Sequence, residues 1–231
     1  MTDAPGRLRE ALAAQDSSAR LQAALAAGTH PDPRFVEILV ERCAVEPDFY
    51  VRDTLTWSLA RHPASLTVPL LLAETRSSVN QARSQALHTL SKVGDPRGWE
   101  AVTEDLLRDP DDEVARSAWR TAVVLVPQVG RESLARVLAG QLGRGGRDVR
   151  LSLSRALAAL GAAADQVLTE AGGHPDPQVR THALATERLV LDPDEGFDAA
   201  VFEAGRIVAL GATAAGGVDH GGMDHGGVEE S

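Results

Sequence analysis

Three groups of residues in this 231-residue chain have the types and spacing that chemistry needs. One lies in the segment "DHGGMDHGG" (219–227), where an Asp-His pair recurs around a methionine. Imidazole, thioether and carboxylate donors suit copper or another late transition metal. His220, Met223, Asp224 and His225 therefore form a candidate weak metal site, and a chance low-complexity tail accounts for the same residues. A second group is "DFYVRDTLTWSLARHP" (48–63), which holds Phe49, Tyr50 and Trp57. Tyr50 and Trp57 share a helix face with Asp53 and Arg61. An exposed aromatic and charged stripe is the composition of a protein-binding hot spot. The alternative is that residues 1–15, or the irregular first repeat, fold over it as an N-terminal cap. The third group is "GQLGRGGRDVR" (140–150), whose amides beside Arg144 and Arg147 can hold an anion. It lacks the lysine of a phosphate-binding loop, and a hinge between helices explains its glycines equally simply.

No arrangement of residues marks a catalytic centre. The seven histidines fall in no H-E-x-x-H pattern and no Cys/His zinc spacing, and there is no G-x-S-x-G. Cys43 is the single cysteine, so an intrachain disulfide is excluded and a reducing, cytoplasmic setting is expected. A net charge of -10 argues against general binding to phosphate backbones, so no nucleic-acid partner is expected. No apolar run is long enough to span a bilayer, and the start of the chain reads as neither signal nor anchor. No cofactor is implied.

These residues are positioned by a repeat. Six segments align on Arg20, Arg52, Arg83, Arg116, Arg150 and Arg180, about 32 residues apart. A small apolar residue precedes each arginine, and apolar residues follow three and seven positions on, which predicts an amphipathic helix in every segment. Only Glu187 breaks the pattern clearly. Asp16, Asp48, Asp112 and Asp176, four before their arginines, are expected helix caps. The arginines are expected to form a structural ladder with Asp of the same or next repeat. Gly- and Pro-containing breaks lead into second helices at about 34–45, 65–76, 97–108, 131–142, 164–171 and 197–210. Pro69 predicts a kink or a late start in the second of these. Trp119 sits at a core position, and Trp99 is ambiguous between groove and packing. Aromatics are 3% of the chain, so an Ala/Leu/Val core of closely packed helices is expected.

The starts "DFYVRDTL", "DDEVARSA", "GRDVRLSL" and "DPQVRTHA" resemble the compact HEAT-like repeat first named from phycobilisome (PBS) lyases. The resemblance covers residues 16–190 and implies an all-α fold, an α-solenoid of about six HEAT-like helix pairs. The expected organisation is a cap helix over 1–15, a repeat domain over 16–210 and a disordered Gly/His/Asp tail over 211–231.

In such arrays the second helices usually line the concave face. Here they carry Glu37, Glu41, Glu74, Glu100, Glu104 and further acids, so an acidic groove for a basic protein segment is one reading and a solvated face is the other. The expected partner site comprises Phe49, Tyr50, Asp53, Trp57, Arg61, Glu100 and Glu104. HEAT-like relatives with enzymatic activity leave little trace: there is no His-Glu dipeptide for iron and no basic aromatic groove for DNA. The expected function is a non-enzymatic protein-binding adaptor or scaffold. A bilin-lyase-like or other enzyme using the groove, and a copper-responsive protein working through the tail, are the alternatives.

Overall fold

A computed structural model of the protein describes residues 3–192 and 196–216, with side chains to 210. Among these residues the chain is all helix, in the order α1 (Ala4–Leu12), α2 (Ser17–Thr29), α3 (Val36–Cys43), α4 (Phe49–Ala60), α5 (Ala64–Glu74), α6 (Asn80–Val93), α7 (Glu104–Leu107), α8 (Asp112–Leu125), α9 (Arg131–Ala139), α10 (Arg147–Leu160), α11 (Asp165–Gly172), α12 (Pro177–Leu191) and α13 (Phe197–Gly216). The even-numbered helices pack side by side in one layer, and the shorter odd-numbered helices from α3 to α11 lie behind them. The helix pairs stack as a HEAT-like α-solenoid, and one apolar core runs from Leu8 to Ala183. A separate small cluster of Ala185, Ala200 and Ala204 joins α12 to α13. Trp119 is fully buried, and its Nε1–H donates to the Leu107 carbonyl at 2.8 Å.

The second helices differ from expectation in detail. The third is broken, with a 3-10 turn over Pro96–Ala101 before the single turn of α7. Helix α5 begins at Ala64 with Pro69 inside it, so the late start does not occur. Helix α13 continues past Leu210 to Gly216. The candidate metal residues His220, Met223, Asp224 and His225 lie outside the described residues.

Each helix of the even layer from α2 to α12 follows a tight loop whose carbonyls point inward. Asp16, Asp48, Asp111 and Asp176 cap the N-termini of α2, α4, α8 and α12 with side-chain oxygens. The loop carbonyls are then taken by the repeat arginine, which reaches back five and six residues. Arg20 donates to the carbonyls of Ala14 and Gln15, Arg52 to those of Glu46 and Pro47, and Arg180 to those of His174 and Pro175. Arg83 makes the bond to Ser77 and Arg150 the bond to Gly145. The ladder is thus mainly arginine to backbone, with carboxylates added at two rungs: Arg20 pairs with Glu46, and Arg83 with Asp109.

Repeat four corrects the register read from sequence. Its cap is Asp111, not Asp112, so the position four beyond the cap is Ala115 and Arg116 falls one residue later. Ala115 is buried and cannot reach the loop. Arg144, from the following repeat, donates instead to the Asp109 carbonyl and pairs with Asp112 at 2.9 Å, with its guanidinium 5.8 Å from the Trp119 ring centre. The segment over 140–150 is accordingly tied down: Arg144 is spent on this bond and Arg147 on Asp198. Gly143 and Gly145, with φ of 85° and 67°, supply the left-handed turns that aim it.

The tightest rung is Glu46, fully buried, which accepts from Arg20, Arg42 and the Asp48 N–H. Burial alone would push its carboxyl up, but these hydrogen bonds outweigh burial and hold it down at about 2. Its contribution to stability is full above the ordinary carboxylate value and falls as pH drops towards about 2. Glu46→Gln leaves Arg20 buried without its counter-charge and should cost about 3–5 kcal/mol in urea unfolding. A loss under about 1 kcal/mol would show that the rung is not structural.

Candidate functional site

Counting from each helix cap puts the groove in register. The residues five and nine beyond the cap are Asp53 and Trp57 on α4, Ser84 and His88 on α6, Arg116 and Arg120 on α8, and Leu151 and Arg155 on α10. The two positions lie four apart, one helical turn, so they share a face. That face is open. A hollow of about 310 Å³ spans α4, α6 and α8, and one of about 480 Å³ spans α6, α8 and α10. A third of about 510 Å³ lies between α10, α12 and the start of α13. The first and second share His88, Arg116 and Arg120, and the second and third share Leu151 and Arg155, so they form one continuous groove.

The groove's polarity changes along its length. Its middle carries Lys92, Arg116, Arg120 and Arg155 beside His88. Among the described residues no carboxylate pairs with Lys92, Arg120 or Arg155. Arg120 donates only to the Arg116 carbonyl and the Ser117 hydroxyl. Burial and the neighbouring Arg116 charge both lower its proton affinity. Arg116 bonds Glu113 through Nη1, but its Nε is buried with no partner. Burial, then Arg120 and Lys92, hold His88 below the ordinary imidazole value, so it is neutral at pH 7. Asp148 sits on the rim and pairs with Arg147. Towards α13 the lining mixes Leu151, Ala158, Leu189, Val190 and Phe197 with Arg147, Arg155 and Ser154.

Of the two readings of the second-layer acids, the solvated face fits several of them: none of these acids lines the three hollows above, and Glu41 pairs with Arg9, Glu104 with Arg108, Glu132 with Arg136 and Glu203 with Arg206. Glu100 lies in the 3-10 turn before α7 and lines a different hollow with Arg76 and Arg83. Glu100 and Glu104 therefore do not join the α4 residues. Helix α1 packs against α2 and α3 through Leu8 and Leu12 and leaves Phe49 and Tyr50 uncovered, whereas α2 of the first repeat covers part of Trp57. Phe49 and Tyr50 are 65% and 71% exposed and meet edge to face at 5.6 Å. Trp57 is only 39% exposed. Its ring lies over Gly28, where an added Cβ would overlap it, and the Arg61 guanidinium stacks 5.4 Å from its centre. Arg61 also donates to the Gly28 carbonyl. Phe49 and Asp53 line the α4 end of the groove.

The groove arginines were missed because Arg116 imitates a ladder residue. The signal that identifies it is "DDEVA": Asp111 stands three before Val114, the spacing of Asp48 to Val51, which places Ala115 in the arginine slot. Among the described residues no group of histidine, cysteine and carboxylates is arranged to hold a metal ion. No described helix is long and apolar enough to cross a membrane.

The stacked pairs and their groove define a HEAT-like helical-repeat protein. No protein-family model matches the chain, and no curated protein sequence matches it. Among solved structures it is similar to the complex of CpcE and CpcF of phycocyanin lyase from Nostoc sp. PCC7120, at 15% identity and a TM-score of 0.48, over 96% of this chain and 91% of that one. A likeness of this degree concerns the fold. The expectation of a non-enzymatic adaptor, which rested on the absence of a recognisable catalytic motif, is corrected by this comparison, because the structure it resembles is of a lyase complex.

His182 lies behind the α13 end of the groove, against Ser154 and Phe197. Its Nδ1 accepts the Gly143 N–H at 3.0 Å and its Nε2 lies 3.0 Å from both the Arg150 carbonyl and the Ser154 hydroxyl, while its ring meets Phe197 edge on. Burial lowers it to about 4. The fold thus holds it neutral, and protonation of Nδ1 removes the acceptor for Gly143. Stability from this site is complete above the unfolded value near 6.5 and is lost as pH falls through about 4. The loss should reach about 3 kcal/mol. His182→Gln should flatten the pH dependence of the melting temperature between those values; an unchanged slope would remove His182 as its source.

Proposed function

We propose that the protein is a groove-using, lyase-like protein that holds an elongated organic anion across α6, α8 and α10. One observation carries this reading: a net-acidic chain gathers Lys92, Arg120 and Arg155, none paired with a carboxylate among the described residues, in a groove that also presents Leu151, Val190 and Phe197. Such a surface fits a molecule with carboxylates on an extended apolar body. Neutral His88, at the edge of the cationic stretch, is the acid–base group that a lyase-type reaction would use. A linear tetrapyrrole bearing two carboxylates belongs to this ligand class and is the probe of choice. Absorbance titration with biliverdin should show saturable binding. Its dimethyl ester should bind at least tenfold more weakly. Leu151→Trp, which fills the junction of two hollows, should abolish binding without lowering the melting temperature by more than a few degrees. Equal binding of acid and ester, or no binding, would sink the proposal.

A second reading concerns the α4 edge. We propose that Phe49 and Tyr50 dock a protein partner at the open end of the groove, supported by their joint exposure in a chain with so few aromatics. The Phe49→Ala/Tyr50→Ala double variant should change stability by no more than about 0.5 kcal/mol, and it should lose proteins that the parent chain captures by cross-linking. A large stability loss would make the rings structural.

A further inference from the structure

We infer that Arg116 and Arg120 form a dedicated carboxylate subsite in the floor of the groove, beside His88. The inference rests on the groove reading above for its ligand, but its geometry stands independently. Five of the six repeats spend an arginine on the loop before their own helix. In the fourth repeat that slot is Ala115, and Arg144 is imported to bond the Asp109 carbonyl. The two arginines of α8 are thereby left over from the framework. They occupy the positions that elsewhere hold Asp53 and Trp57, Ser84 and His88, or Leu151 and Arg155.

Two guanidinium groups one helical turn apart repel each other, and Arg116, the less exposed of the two, is partly withdrawn from the water that would screen it. Nothing in the framework requires that repulsion. A carboxylate between them would remove it, and would also give the buried Arg116 Nε the acceptor it lacks. Lys92 adds a third cation on the α6 side. The protein's own carboxylates meet this charge only in part: Glu113 pairs with Arg116 through Nη1, Asp148 is held by Arg147, and Asp53 lines the α4 side of the same hollow without pairing with either arginine. A planar fork favours carboxylate recognition through two parallel hydrogen bonds, which ammonium groups do not provide.

The test uses the full chain with two small probes, glutarate and inorganic phosphate, followed by NMR of the histidine and arginine side chains. Glutarate at millimolar concentration should shift the Arg116 and Arg120 signals and raise the titration midpoint of His88, because the bound anion offsets its cationic neighbours. Arg120→Gln should weaken glutarate binding at least tenfold. Arg116→Lys, which keeps the charge and removes Nε, should weaken it several-fold. Arg131→Gln, a control whose guanidinium bonds the Ala159 carbonyl away from the groove, should leave it unchanged. Absence of glutarate binding, equal loss in the control, or preference for phosphate would overturn the assignment. Biliverdin distinguishes this idea from the broader one. Glutarate bound without biliverdin leaves the subsite standing and the elongated ligand rejected. Biliverdin bound with no sensitivity to Arg120→Gln removes the subsite alone.

Discussion

The structure depends on satisfying the carbonyls of the loop that enters each helix of the even layer. These loops turn the chain back between short helices, and their carbonyls, part-buried to exposed, have no partner within the helix that follows. An arginine four residues beyond the cap solves the problem with one side chain, because its Nη1 carries two hydrogens and bonds two successive carbonyls in three of the repeats. Its charge finds a carboxylate where the next repeat offers one. This local rule repeats about every 32 residues and fixes how each helix begins. With the starts fixed, the faces that meet are fixed too. Between neighbouring helices of the even layer a seam of buried hydroxyls recurs: Ser58 to the Ala24 carbonyl, Thr56 with Thr89, Thr121 to the Leu87 carbonyl, and Ser154 with Thr186.

Because the rule is local, much of the fold was legible in the sequence. The caps, the recurring arginine and the apolar positions are neighbours in the chain, and their spacing alone dictates amphipathic helices. The role of the arginine was only half legible. Its carboxylate partners suggested themselves by charge, whereas its backbone partners depend on how the loop curls. Acids of the second layer line a separate hollow, with Glu100 and Asp105 beside Arg76 and Arg83. Both layers are amphipathic, and sequence does not say which exposed face is left concave between three helices. Local pairs such as Glu104 with Arg108 also cancel charge that a simple count leaves standing.

The fourth repeat was misread for a more instructive reason. Arg116 follows a small apolar residue, like the ladder arginines, and chain spacing alone cannot separate the two roles. The separation is made by Arg144, which belongs to the next repeat and reaches back across the boundary. A residue brought in through tertiary contact released a residue that looked local. The same event explains the glycines over 140–150. They are needed less for mobility than to let Arg144 approach Asp109 and Trp119, and to present the Gly143 amide to His182.

This arrangement links the framework to the groove by exchange of one side chain. Had the fourth repeat followed the rule, its arginine would have been consumed at the loop and α8 would bring one cation to the groove instead of two. The substitution of Ala115 costs the loop nothing, since Arg144 supplies the bond, and it frees the adjacent position to face the hollow. Net charge is therefore a poor guide to what the protein binds. The acids lie mostly at caps, in rungs and in local pairs, where geometry uses them up. Lys92, Arg120 and Arg155 stand without a carboxylate in the groove, and Arg116 adds a donor that no protein atom satisfies. What the surface attracts at close range is decided by those few unneutralised groups, screened from the distant acids over about 8–10 Å of salt solution.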